Sequence, residues 1–387
     1  MSKLKVAALQ GLSASSDAIT LANDGTCTAN ITNNLSNRNL VMNGAMQVAQ
    51  RGTSSTTAIT GNTFVCDRFR TAGNSQIGVV TASQTTTNLP AGFDHALRYE
   101  CTTADTSIAA GDHFGIMYVP ESQDLARIAK GTSSAKPLTL SFYVRSNVQR
   151  TFVVELTDSS NSRHVNFQKT VAAINTWERM VINIPADTSG SFGTGNSKAA
   201  ELTWWLAAGT TYSSGSIQNT WTSRSNANIM AGTQNLNDTV GNFIEITGVQ
   251  LEVGSVATDF EHRSFGDELN RCLRYCYVAG GTAPATDNYE RFGTGWGYDS
   301  TRTRIQMFHP IPMRTAPTVS VPTIGDLQVS DSSNGYQCSA YERMGSVNGS
   351  MTTGIQFTHS SGVTAYRPMF VEARNTTAAR IILSAEL

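Results

Sequence analysis

Short runs in which apolar and polar residues partly alternate recur along most of the chain. Residues 138–144 (LTLSFYV), 151–157 (TFVVELT), 177–184 (WERMVINI), 202–206 (LTWWL) and 243–253 (FIEITGVQLEV) are the strongest. A period of two is that of strands with one face buried. Segments rich in Gly, Ser, Asn and Thr, notably 187–197 and 212–238, lie between them. Strands and loops without interleaved helices predict an antiparallel sandwich or barrel rather than a parallel α/β sheet. One long helix interrupts the pattern. Leu269, Cys272, Leu273 and Cys276 stand at i, i+3, i+4 and i+7 and make one apolar helical face. Ser264 and Asp267 have capping-box spacing, and Glu268 adds a carboxylate to the first turn, where the orphan N–H groups point. Residues 122–129 (SQDLARIA) predict one further helical turn.

These signals divide the chain into four parts. Residues 1–38 hold weak β signals at 3–10, 18–21 and 26–31, too little to fold alone. Residues 39–263 form the main β region, and residues 264–279 a linker helix. Residues 280–387 read as a second β domain, with Ile305, Met307, Val319, Ile355, Phe357, Val371 and residues 381–383 as its apolar positions. A last strand that reaches the final residues is tied into a sheet, and the absence of a trailing linker fits a distal tip domain. The fold class is therefore mainly β.

Composition narrows the function classes. Charged residues make up 15% of the chain, below the roughly 25% of an ordinary globular protein. Apolar residues reach 40%, which argues against disorder. The net charge is −1 without a Lys/Arg stripe, a poor footprint for nucleic acid. No apolar run approaches the ~20 residues of a membrane span, and the N-terminal residues lack the apolar core of a signal peptide. The six cysteines are scattered; Cys272 and Cys276, at i and i+4, read as buried thiols rather than as zinc ligands.

Three segments carry a resemblance. They are residues 39–52 (NLVMNGAMQVAQRG) with Asp67-Arg68-Phe69, residues 246–254 (ITGVQLEVG) with 257–264 (ATDFEHRS), and residues 271–275 (RCLRY). Together, with residues 4–10 more weakly, they resemble motifs of phage tail-fibre and related virion proteins. The resemblance implies a jelly-roll, carbohydrate-binding-module-like domain in a virion structural protein. Such fibres are commonly trimers, so it also implies a homotrimer whose contact would include the Leu269, Cys272, Leu273 and Cys276 face. Residues 1–38 would attach to other virion proteins, and a host surface glycan would be the target. A head or capsid fibre, a tail adaptor, a polysaccharide-degrading tailspike and a free carbohydrate-binding module are the alternatives.

No catalytic signature is present: no G-x-S-x-G elbow, no H-E-x-x-H and no phosphate loop. The carboxylates are scattered and read as surface or capping groups rather than as a facing glycosidase pair. A structural Ca²⁺ would need a dense acidic loop, and none stands out; no cofactor is expected. Residues 293–297 (GTGWG) read as a loop or bulge. Aromatic faces against sugar C–H faces are the chemistry of glycan contact. Tyr289, Trp296 and Tyr298 in the last domain, and Tyr212 and Trp221 in the long loop, are the candidates. Trp204 and Trp205 are adjacent and must point to opposite faces of a strand. Asp67-Arg68 and Glu261-His262-Arg263 read as structural groups.

Overall fold

The computed structural model describes residues 6–10, 19–21, 27–29, 37–58, 62–73, 77–281, 288–331, 333–345 and 349–387. Two six-stranded antiparallel sheets form the main unit. One runs in the order Thr222–Ser223, Arg163–Val171, Arg150–Asp158, Glu201–Ala208, His113–Tyr118, Phe69–Gly73. The other runs Glu178–Ile184, Leu138–Ser146, Phe243–Val253, Ala96–Thr103, Val79–Thr85, Ser54–Ala58. All five strong alternating segments are strands of this jelly-roll-like sandwich. Its core is aromatic and crosses from sheet to sheet: Phe142 of one packs edge-on to Trp204 of the other at 5.6 Å, and Tyr99 meets Phe114 at 5.7 Å. Such pairs add about 0.5–1.5 kcal/mol each beyond the area they bury.

The chain enters and leaves the sandwich through one polar cluster. Arg263 donates to the carbonyls of Asn39 and Val41 and to Glu261 and Glu268. Glu261 accepts the Asn39 N–H at 3.0 Å, and Asn39 in turn bonds both Val249 O and the Leu251 N–H at 3.1 Å. A Cβ on Gly44 would stand 2.1 Å from Val249 O; only glycine lets these backbones approach so closely. The segments that carry the resemblance, some 210 residues apart, are thus one structural unit.

The helix begins as its cap predicts. Ser264 Oγ accepts the Asp267 N–H at 3.2 Å, and the helix spans Phe265–Leu273. It is shorter than the apolar spacing implies. Cys276 opens a strand, Cys276–Gly280, which pairs with Arg380–Ser384. Tyr277 and Val278 favour that extended backbone, and the ladder partner arrives from the far end of the chain. Arg380–Ser384 also pairs with Thr318–Ser320.

The rest of the last domain is a closed six-stranded barrel: Arg291–Gly297, Arg302–Phe308, Thr352–His359, Gly335–Arg343, Leu327–Ser330 and Pro368–Ala373. The Gly-rich run 293–297 is therefore a strand rather than a loop. Gly293, Gly295 and Gly297 share one face, and a Cβ on Gly295 would lie 1.8 Å from Arg304 O. The narrow interior, filled by Ile305, Met307, Ile355, Phe357 and Val371, leaves no room for side chains there. Ahead of the sandwich, Ala8–Leu9, Ile19–Leu21 and Cys27–Ala29 pair into a small antiparallel sheet; the other residues expected to attach to virion proteins fall largely outside the described set.

A buried guanidinium fastens the sandwich to the last residues of the chain. Arg68, 2% exposed, pairs with Glu386 and donates to Val119 O. It lies 3.4 Å from the ring centre of Tyr275. Arg51 also reaches Glu386, at 3.2 Å, and Asp67 at 3.7 Å. Arg274 holds Glu121 with two bonds of 2.7 and 2.9 Å. Replacing Glu386 by Ala strands the Arg68 charge, and a loss of about 3–5 kcal/mol is expected; equilibrium denaturation showing under ~1 kcal/mol would refute this role.

Asp67 is fully buried beside this pair. Burial lifts its pKa to about 6, against the opposing pull of Arg51 and Gln50. The native state therefore holds a proton between pH 4 and 6 that the unfolded chain has released, so this group's contribution falls as pH rises through that window. The stability difference between Asp67→Asn and the parent should shift in favour of Asn from pH 4 to 6 and level off above it. Thermal melts that show a constant or opposite difference would contradict the assignment.

Candidate functional site

The outer face of the first sheet is covered by the chain's own long loop. Trp204 is fully buried in the core, and Trp205, 4% exposed, faces outward under that loop. Ile229 and Met230 pack with Trp205, Val153 and Met117. Buried Asn166 ties the loop down, donating to Asn228 O and Ile229 O and accepting the Gln218 N–H. Tyr212 stands edge-on to His113 at 4.7 Å, and His113 to Trp205 at 5.3 Å. Below them Glu155 accepts from His164 at 2.8 Å, from the Trp205 indole at 2.9 Å and from Arg224 at 3.2 Å. Burial pushes this carboxyl upward, but those partners outweigh it and hold it below the usual range.

Trp221 is a packing residue. Its indole donates to Pro185 O at 2.9 Å, and the Lys130 ammonium lies 4.9 Å from its ring centre. Lys130, 3% exposed at its side chain, bridges Asp158 at 2.6 Å and Asp187 at 3.1 Å. Arg163 also grips Asp187 with two bonds. The carboxylates named here are engaged by cations rather than paired in an open cleft. Among the described residues no three His, Cys, Asp or Glu converge on a possible metal site, and no helix is long and apolar enough to cross a membrane.

The barrel exterior is open. A single cross-strand row runs Pro368, Trp296, Arg304, Gln356, Glu342 over five strands. Trp296 is 42% exposed and Tyr298 37%. The Arg304 guanidinium lies 3.6 Å from the Tyr298 ring centre and donates to Gln356 at 3.1 Å; Gln356 donates to Glu342 at 2.6 Å. Two aromatic side chains, a guanidinium and a carboxylate thus share one surface, bridged by the buried Gln356 amide, 6% exposed. Tyr289 does not join it. It lines a separate groove with Arg291, Gln328 and Glu372, roughly 20 Å away along the strand direction. Arg304, Gln356 and Glu342 escape sequence reasoning because only the ladder register sets them beside Trp296.

The expected contact face divides. Cys272 and Cys276 are fully buried within this chain, and Leu273 is 9% exposed. They pack inward because the helix lies on the junction of sandwich and barrel, so the thiols are unavailable to another copy. Leu269 instead lines an apolar groove of about 430 Å³ with Phe265, Leu273, Tyr277, Val278 and Pro310. Phe265 is 57% exposed.

No protein-family model matches the chain, and no curated protein matches it. Among solved structures, it is similar to the enzymatically active domain of a tailspike protein of bacteriophage CBA120. The identity is 11% and the TM-score 0.30, over 56% of this chain and 21% of that one. It is similar to the module TmCBM61 in complex with β-1,4-galactotriose, at 10% identity and a TM-score of 0.30 over 56% of this chain and 99% of that one. A third similarity is to the tandem CBM22-1–CBM22-2 domain of Paenibacillus barcinonensis Xyn10C, at 10% identity and a TM-score of 0.28 over 92% and 100%. Similarity this low decides neither ligand nor role; the β architecture rests on the strand pairing above.

Replacing Lys130 by Met leaves Asp158 and Asp187 buried without their shared ammonium. A loss of about 3 kcal/mol is expected, with altered Trp221 fluorescence. An unchanged denaturation midpoint would show that the cluster is not a structural anchor.

Proposed function

We propose that this chain is a structural virion protein, a phage tail fibre, that contacts the host cell surface through the outside of its C-terminal barrel. The observation that carries the reading is the unity of its motifs. Residues 39–52, 246–254 and 257–264 resemble fibre proteins, and they meet in one hydrogen-bonded cluster built on Arg263, Asn39, Glu261 and Gly44. The exposed Trp296 ring supplies the apolar face a glycan needs, flanked by the Arg304 guanidinium stacked on Tyr298 and by Glu342, with the buried Gln356 holding both polar groups in place. Binding rather than hydrolysis is the proposed activity. Three copies would associate about an axis, the groove beside Phe265 and Leu269 closing between them, and weak sites on one trimer would act by avidity. Residues 1–38 would join the fibre to the particle.

Immunogold labelling of purified particles from a lysate that contains the chain is expected to mark the tail; particles free of the chain overturn the virion role. Adsorption of the purified protein to cells of that host is expected to fall about tenfold (~1.4 kcal/mol per site) in a Trp296→Ala, Tyr298→Ala variant with an unchanged melting temperature. Undiminished adsorption would remove the barrel surface from the proposal.

A further inference from the structure

Two buried imidazoles stand at opposite ends of one strand pair of the barrel. His309 follows the strand Arg302–Phe308, and His359 closes the strand Thr352–His359. The two strands run antiparallel with Ile305 opposite Ile355. Residues 300–309 and 350–359 share the pattern Ser-x-x-Thr-x-Ile-Gln-x-x-His, so the pair is close to twofold. Each histidine reaches diagonally back to the threonine of the other strand. His309 Nε2 lies 2.9 Å from Thr353 Oγ1, and His359 Nε2 lies 2.9 Å from Thr303 Oγ1. Both rings are 4% exposed, and both threonines are fully buried.

The partners of His309 fix its protonation state. Nδ1 is 2.8 Å from Ser350 O, which can only accept, so Nδ1 carries the hydrogen. Nε2 is then the bare nitrogen, and it accepts the Thr353 hydroxyl. A second proton would set an N–H against that O–H and place a full positive charge where a carbonyl and a hydroxyl stand in for a counter-ion. The charged groups on the flanking strands are engaged elsewhere or face water. Arg291 pairs with Glu372 at 3.1 Å, Glu342 accepts from Gln356, and Arg343 is exposed. Arg314, further along the chain, donates to Ala385 O and Glu386 O. Among the described residues the histidine paired with a carboxylate is His164, not His309. Burial lowers the proton affinity of His309 below the ordinary imidazole value, with the Ser350 bond opposing only in part.

We infer that the clasp of His309 with Thr353 and Ser350 is an acid-sensitive latch: a proton taken up there releases this end of the strand pair while the sandwich stays closed. The opened segment binds a proton near the ordinary imidazole value of about 6.5, and the closed barrel refuses it. The stability the clasp contributes is therefore complete above that pH and is lost as pH falls below it. Asp67 acts in the opposite sense, so it cannot mimic the latch. The latch stands whether or not the barrel surface contacts a receptor.

Hydrogen exchange of the whole protein reads the latch, followed by mass spectrometry at about pH 7.5 and about pH 5 and corrected for intrinsic exchange rates. Residues 302–309 and 350–359 are expected to lose about tenfold in protection at the lower pH, while the sandwich strand Leu138–Ser146 keeps its own. In His309→Gln the amide oxygen can still accept the Thr353 hydroxyl and does not titrate, so the loss should disappear. Equal protection of the parent at both pH values would overturn the latch. So would a loss shared equally by the sandwich, or an undiminished loss in folded His309→Gln. Where that variant does not fold, imidazole NMR of the parent decides. Protonation of the His309 ring in step with the lost protection supports the latch, and protonation without that loss overturns it.

Discussion

The attachment of the last residues to the sandwich depends on the charge of Arg68. A guanidinium 2% exposed is tolerable only where its solvation is replaced almost completely. Glu386 supplies the counter-charge, Val119 O an acceptor, and the Tyr275 ring a polarizable face. Each partner belongs to a different part of the chain: sandwich, post-helix segment and last residues. The requirement that all three be present at once couples the folding of the two units. Asp67 and Arg51 extend the same network, and burial raises the pKa of Asp67 against the pull of Arg51.

A second constraint closes the sandwich. Arg263 spans the entry and exit segments, binding backbone oxygens of Asn39 and Val41 and carboxylates of Glu261 and Glu268. Because the fork is planar and fixed, it sets the register of two segments that meet through no common strand pair. The helix then starts from a defined point, with Glu268 shared between its first turn, Arg263 and the Asn43 N–H. Few charged residues suffice because those named at the junctions are paired, Arg263 with Glu268 five residues away and Arg68 with Glu386 318 residues away, while hydroxyl and amide groups serve the loops.

The two units treat their surfaces differently. The sandwich spends 30 or so loop residues covering the outer face of one sheet. The barrel, whose closure removes the sheet edges, keeps Trp296 and Tyr298 exposed on its outside while Gln356 between them and Glu342 is buried. Function is therefore read from open side chains on rigid strands, with their geometry fixed by ladder register.

Periodicity and capping signals along the chain carry the β class, the five strongest strands, the capped start of the helix and the opposed faces of Trp204 and Trp205. Those are local matters. The sequence also marked Asp67, Arg68, Glu261 and Arg263 as structural, though not their partners. It takes the packed fold to show that Cys276 belongs to a strand, that the 293–297 run lines a barrel, that Trp221 packs on Lys130 and that Trp296 and Tyr289 are apart. That fold alone set Arg304, Gln356 and Glu342 in one row. The reason is that each of these depends on which backbone arrives beside a residue, and partners separated by anything from 14 to 318 residues leave no periodic trace in the chain.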